Sequence, residues 1–158
     1  MKKFLAFAIV VSVILIACVK GTTNTGTTTT CTNVDTTSED PAIQTFCNKD
    51  SVTFKRDVSG VYYHITDTGT GVSATSASVI NFTYTATLLN GTILGSGAAQ
   101  QAISGLIEGF QLMDSYLKLN THIEMVIPSS LAYGCTGAGT VVPSNSVVSY
   151  DVIITAIE

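Results

Sequence analysis

The chain has 158 residues, enough for one domain with appendages, and a formal net charge of −4. Only 11% of its residues are charged, Trp is absent, and Thr, Ser and Gly fill much of the remainder, a composition that fits many short strands better than a helical bundle. The acidic balance, which would go from −4 to −6 if Lys2 and Lys3 left with a leader, argues against a nucleic-acid partner, because such a partner needs a basic footprint.

Lys2 and Lys3 open an apolar run from Phe4 to Ala17 that only Ser12 interrupts. The run is short for a permanent membrane span and suits the core of a signal peptide over residues 1–17. It ends in Leu15-Ile16-Ala17-Cys18, which resembles a bacterial lipobox. The resemblance implies that Cys18 is lipidated, that the mature chain begins there, and that the membrane is reached through the N-terminal lipid. Acyl chains add roughly 0.8 kcal/mol per buried methylene, so several on one residue would hold firmly. An ordinary secretory signal that contains a cysteine, or an uncleaved anchor, are the alternatives. Val19, where Asp would favour inner-membrane retention, is similar to the sorting pattern for the outer membrane, facing the periplasm of the cell envelope.

Residues 18–37 are rich in Thr with almost no large apolar side chain, which predicts a flexible tether behind the lipidated cysteine. Ser38 is the expected N-cap of a short helix, with Glu39, Asp40 and Pro41 in its first turn and Ile43, Phe46 and Cys47 on one face. Residues 38–59 therefore form an expected helical extension. Of the remaining cysteines, Cys31 and Cys47 are the nearest candidate pair in a compartment that permits disulfides. Otherwise Cys47 is a small core residue and Cys31 a mobile thiol. Neither a Cys-x-x-Cys pair nor a His-Cys cluster occurs, which argues against a metal.

From residue 52 the period falls to two. Val61–Asp67 reads as a strand with Val61, Tyr63 and Ile65 on one side. Val79–Leu89 reads as a longer strand, Asn90-Gly91 as a hairpin turn, and Thr92-Ile93-Leu94 as the start of the return strand. Leu106, Phe110, Met113 and Leu117 follow at helical spacing, with Lys118 favoured in a last turn and Asn120 as a terminator. Strands resume over His122–Ile127, which Pro128 ends, and Val147–Ile157. The fold class is α+β: an antiparallel twisted β-sheet wrapped around one main α-helix, preceded by a short helix. His64 and His122 read as strand-face residues, and the carboxylates Glu108, Asp114, Glu124 and Asp151 form no evident acid–base pair.

Three blocks, covering about residues 60–158, then carry a resemblance. They are Val79-Ile80-Asn81-Phe82-Thr83-Tyr84-Thr85-Ala86 with the Asn90-Gly91 turn; Leu106-Ile107-Glu108-Gly109-Phe110; and Ile127-Pro128-Ser129-Ser130-Leu131-Ala132-Tyr133-Gly134 with Val141-Val142-Pro143 and Tyr150-Asp151-Val152. In this order and spacing they resemble the FKBP-type peptidyl-prolyl cis-trans isomerases, in bacterial lipoprotein form. The resemblance implies an FKBP-like isomerase domain over residues 60–158 and an apolar pocket for proline-containing polypeptides. Its implied catalytic residues are Phe110, the aromatic platform; Ile107, with a backbone N–H; and Tyr133, whose hydroxyl meets a carbonyl. Tyr84, Leu94, Leu106, Val142 and Tyr150 match wall positions, with Ala132 and Val141 at the rim. No cofactor or metal is implied; a macrolide inhibitor of the family is an expected ligand. Leu94 and Gly95 stand where the family usually has Phe and Asp, which motivates a second expectation, a binding or chaperone module of the same fold with weak or no isomerase activity.

Overall fold

In the computed structural model, which describes residues 30–49 and 52–158, six strands hydrogen-bond into one sheet. They are β1 (Lys55–Arg56), β2 (Tyr62–Thr70), β3 (Val79–Leu88), β4 (Ile93–Ala102), β5 (Leu119–Ile127) and β6 (Val148–Ile157). Their order across the sheet is β1-β2-β5-β6-β3-β4, and every pairing is antiparallel. Two α-helices, α1 (Thr36–Cys47) and α2 (Glu108–Gln111), complete the α+β fold that the patterning predicts.

Strand alternation sends side chains to two separate cores. Ile123, Met125 and Ile127 of β5 join Phe110, Met113 and Leu117 on one face, while Val126 faces the other way, onto α1. Phe110, Met113 and Leu117 are at most 1% exposed. Full burial of side chains of this size contributes roughly 1.5–3 kcal/mol each.

The long helix expected over residues 106–117 is not formed. The apolar triplet is buried as its spacing demands, but by one turn of α-helix followed by a 3-10 turn, Asp114–Tyr116, and an extended Leu117. Gly109, Asp114 and Ser115 are weak helix formers, and a competing set of bonds captures the chain beyond them. The buried Thr121 hydroxyl accepts from the Lys118 N–H at 2.9 Å and lies 3.2 Å from the Thr68 carbonyl. Asn120, expected as a helix terminator, instead lies within β5 at φ 65°.

Order also begins earlier than Ser38. Asp35 is the N-cap of α1: its carboxylate accepts the Thr37 N–H at 2.8 Å and the Thr37 hydroxyl at 2.5 Å. Pro41 consequently lies inside the helix rather than in its first turn. Ile43 and Cys47 pack on Tyr62, Val126 and Val147, on the sheet face opposite α2. Glu39 accepts the Ser129 N–H at 2.8 Å, fastening α1 to the segment that follows β5.

The candidate Cys31–Cys47 pair does not form: Cys31 is bonded to Cys135 rather than being a mobile thiol, and Cys47 is the small core residue of the alternative reading, a buried free thiol whose pKa burial pushes up to about 11. Proximity in sequence misleads here, because α1 intervenes: 12 helical residues span about 18 Å. Residues 30–35, expected to be tether, run without helix or strand against the loop near Gly134, where Asn33 Oδ1 accepts the Cys135 N–H at 2.8 Å. Residues 1–29, with the expected signal peptide, Cys18 and most of the expected tether, lie outside the described residues.

Candidate active site

The site forms where α2 meets the sheet. A Cβ on Gly109 would collide with the Ile127 side chain, so only glycine lets α2 approach β5 this closely. That approach carries Phe110 to the cavity floor at 1% exposure. The segment before the helix is pinned twice. Gln111 Nε2 donates to the Leu106 carbonyl at 2.6 Å, and the Ile107 carbonyl accepts the Phe110 N–H at 2.9 Å. Among the described residues the Ile107 N–H enters no such backbone bond.

Four aromatic rings, Phe110 among them, form the floor and its surroundings. Phe110 lies 5.7 Å from Phe82 and meets Tyr150 edge-on at 6.1 Å and 87°. Tyr84 lies 5.8 Å from Phe82 and 6.2 Å from Tyr150. These separations fall in the range where aromatic pairs attract beyond their area burial. With Leu106, Ile107 and Tyr133 they enclose an open cavity of about 390 Å³. None of its lining side chains is charged at neutral pH, and among the described residues no cluster of His, Cys, Asp or Glu could hold a metal.

Tyr133 enters from the loop after β5, between the 3-10 turns Ser129–Leu131 and Gly134–Thr136. Its hydroxyl lies 3.0 Å from that of Tyr150. Burial raises the Tyr150 pKa well above the ordinary phenol value, with the Tyr133 hydrogen bond adding to the shift. Both phenols therefore face the cavity beside one another, one from a strand and one from a loop.

Residues 71–155, more than half of the chain, match the sequence profile of the FKBP-type peptidyl-prolyl cis-trans isomerases. The chain belongs to this family. It is 34% identical over 113 residues to the FKBP-type isomerase FkpA of Aeromonas hydrophila, covering 66% of this chain and 40% of that protein. It is 28% identical over 109 residues to the outer membrane protein MIP of Legionella longbeachae, covering 63% and 45% respectively. The chain thus spans less than half the length of these relatives. Among solved structures, FkpA from Escherichia coli superposes with a TM-score of 0.69 at 22% identity, covering 77% of this chain and 58% of that one. A peptidyl-prolyl isomerase from Pseudomonas syringae pv. tomato gives 0.67 at 21%, covering 80% and 98%. Likeness at this identity is one of FKBP fold.

The structure brings six of the expected site residues together on the main cavity: Tyr84, Leu106, Ile107, Phe110, Tyr133 and Tyr150. Leu94, Val141 and Val142 line a neighbouring hollow of about 300 Å³ that shares the three tyrosines. Ala132 borders neither hollow and packs half-buried against the core. Val141 is 53% exposed. Gly95 lines the second hollow; a Cβ there would lie 3.5 Å from the Tyr84 hydroxyl.

Sequence reading missed Phe82, Ala99, Gln101 and Gly105 as lining residues. Phe82 was legible, since it shares a strand face with Tyr84. Ala99 and Gln101 required the hairpin register, in which they pair with Phe82 and Ile80. His122 finds Asp151 at 2.6 Å on the exposed sheet surface, a diagonal pairing that only the β5–β6 register reveals.

Proposed function

We propose that this chain is a peptidyl-prolyl cis-trans isomerase acting on proline-containing polypeptides, with Phe110, Ile107 and Tyr133 as its catalytic groups. The observation that carries the reading is the uncharged aromatic cavity, with Phe110 at its floor and the Tyr133 hydroxyl at its wall. The barrier to rotation about the X–Pro bond is about 18–20 kcal/mol, because resonance gives that bond partial double-bond character. No nucleophile or metal is needed. The cavity has to bind the twisted amide better than either planar form.

Planar amides are more charge-separated than twisted ones, so replacing water by aromatic rings favours the twist. Phe110 carries the prolyl ring, and Tyr84, Leu106 and Tyr150 enclose it. The Tyr133 hydroxyl or the Ile107 N–H holds the carbonyl in one orientation while the C–N bond turns. Each 1.36 kcal/mol of preference for the twisted form accelerates the reaction about tenfold. A macrolide inhibitor of the family fits the same reading of the cavity.

The reading extends to place and architecture. Residues 1–17 are a signal peptide, Cys18 carries the lipid, and the isomerase domain of residues 60–158 stands in the cell envelope, with outer-membrane attachment facing the periplasm. Exported clients suit this, since unaided proline isomerisation takes tens of seconds and limits folding. A binding or chaperone module is the second reading, favoured by one observation: Gly95 leaves the Tyr84 side of the neighbouring hollow without a side chain. A proline-peptide isomerisation assay on the purified protein, with Tyr133→Phe and Phe110→Ala, separates the two. The isomerase reading expects a rate above background that falls in both variants; a background rate for the unaltered protein leaves the binding module.

A further inference from the structure

The Tyr133 and Tyr150 hydroxyls, 3.0 Å apart, differ in how they are held. Tyr150 stands on β6, paired with Met125 on one side and Ala86 on the other, so its backbone is fixed from two strands. Its ring is set between Phe110, edge-on at 6.1 Å, and Tyr84 at 6.2 Å. Tyr133 sits on a loop between two short turns, outside the sheet. A phenol that must hold a substrate carbonyl from a loop gains from a fixed neighbour.

We propose that Tyr150 is a positioning residue for the isomerase reaction proposed above: its hydroxyl donates to Tyr133 Oη, leaving the Tyr133 proton free to donate to the substrate carbonyl. The order of donors follows from hydrogen-bond inventory. A phenol has one proton. If Tyr133 gives its proton to the substrate, only its lone pairs remain for Tyr150, and Tyr150 must be the donor. In the reverse order Tyr133 would present lone pairs to the carbonyl, which repel it. A chain of two donors running toward the carbonyl is also polarised cooperatively. A phenol holds its proton at physiological pH, and burial moves the Tyr150 pKa further in that direction.

The test is a double-mutant cycle in kcat/KM on a proline peptide, with Tyr150→Phe, Tyr133→Phe and the pair together. Tyr150→Phe is expected to lose roughly fivefold, the size of one hydrogen bond, when Tyr133 is present and to be silent when residue 133 is Phe. A structural wall residue would lose equally in both backgrounds, and that result, or no loss in either, overturns the proposal. If the unaltered protein shows no turnover, the isomerase reading fails separately, and peptide affinity by calorimetry on the same four proteins decides the positioning role by the same pattern. Failure of the unaltered protein to bind the peptide at all overturns both.

Discussion

Cys31 is bonded to Cys135, two residues beyond Tyr133 and across a sequence separation of 104. The link joins the segment ahead of α1 to the loop that delivers Tyr133 to the cavity. Closing so long a loop removes many conformations from the unfolded chain, a stabilisation of about 2–5 kcal/mol. Cys31→Ala with Cys135→Ala should lower the urea midpoint by a corresponding amount. A midpoint unchanged by the double substitution would show that the disulfide adds nothing to folding.

Glu39 and Ser129 make a further attachment of the N-terminal segment, carboxylate to backbone N–H at 2.8 Å. Glu39→Ala strands that N–H and should destabilise by about 1–2 kcal/mol, whereas Glu39→Gln keeps an acceptor and should cost less. Urea unfolding of both variants checks the order.

Phe110 serves the core and the cavity together. Phe110→Ala should cost about 3–5 kcal/mol of stability, as expected for an aromatic side chain at 1% exposure. Phe110→Leu, which fills more of the space, should fold better yet still lose the flat platform. Thermal unfolding and peptide isomerisation, measured on the same samples, should therefore diverge between the two variants.

Asp35 gives a pH dependence with a definite sign. Hydrogen bonds from the Thr37 side chain and backbone lower its pKa below the usual carboxylate range. A carboxyl depressed in the folded state contributes stability that is present above its unfolded pKa and disappears as pH falls through the folded one. Asp35→Asn caps the helix comparably at neutral pH but has no proton to take up. Its denaturation midpoints should match the parent near pH 7 and fall less steeply on acidification.

Much of the sheet was legible because alternation is a local signal. Val79–Leu88 and Val148–Ile157 lie within a residue of their expected limits, and the Asn90-Gly91 turn joins β3 to β4. The α2 region was half legible: Phe110, Met113 and Leu117 are buried together, but burial alone did not dictate a continuous helix once Thr121 offered competing bonds. The Asp35 cap was available to inspection, since Asp followed by two threonines ahead of an acidic turn is a strong start signal. The Cys31–Cys135 link was not, because nothing local couples residue 31 to a loop more than 100 positions away. Within the cavity, six lining residues carried by short motifs were named from sequence, Phe82 was overlooked although it lies in one of those motifs, and Ala99 and Gln101 depended on strand register.

The cavity's occupant can be observed directly. Titrating the isotopically labelled protein with a short proline peptide should shift NMR resonances of Ile107, Phe110, Tyr133 and Tyr150 together, and exchange cross-peaks should connect the peptide's cis and trans forms faster than in free solution. Shifts confined to residues elsewhere, with cis–trans exchange at the free-peptide rate, would contradict the assignment of this cleft to a prolyl ring.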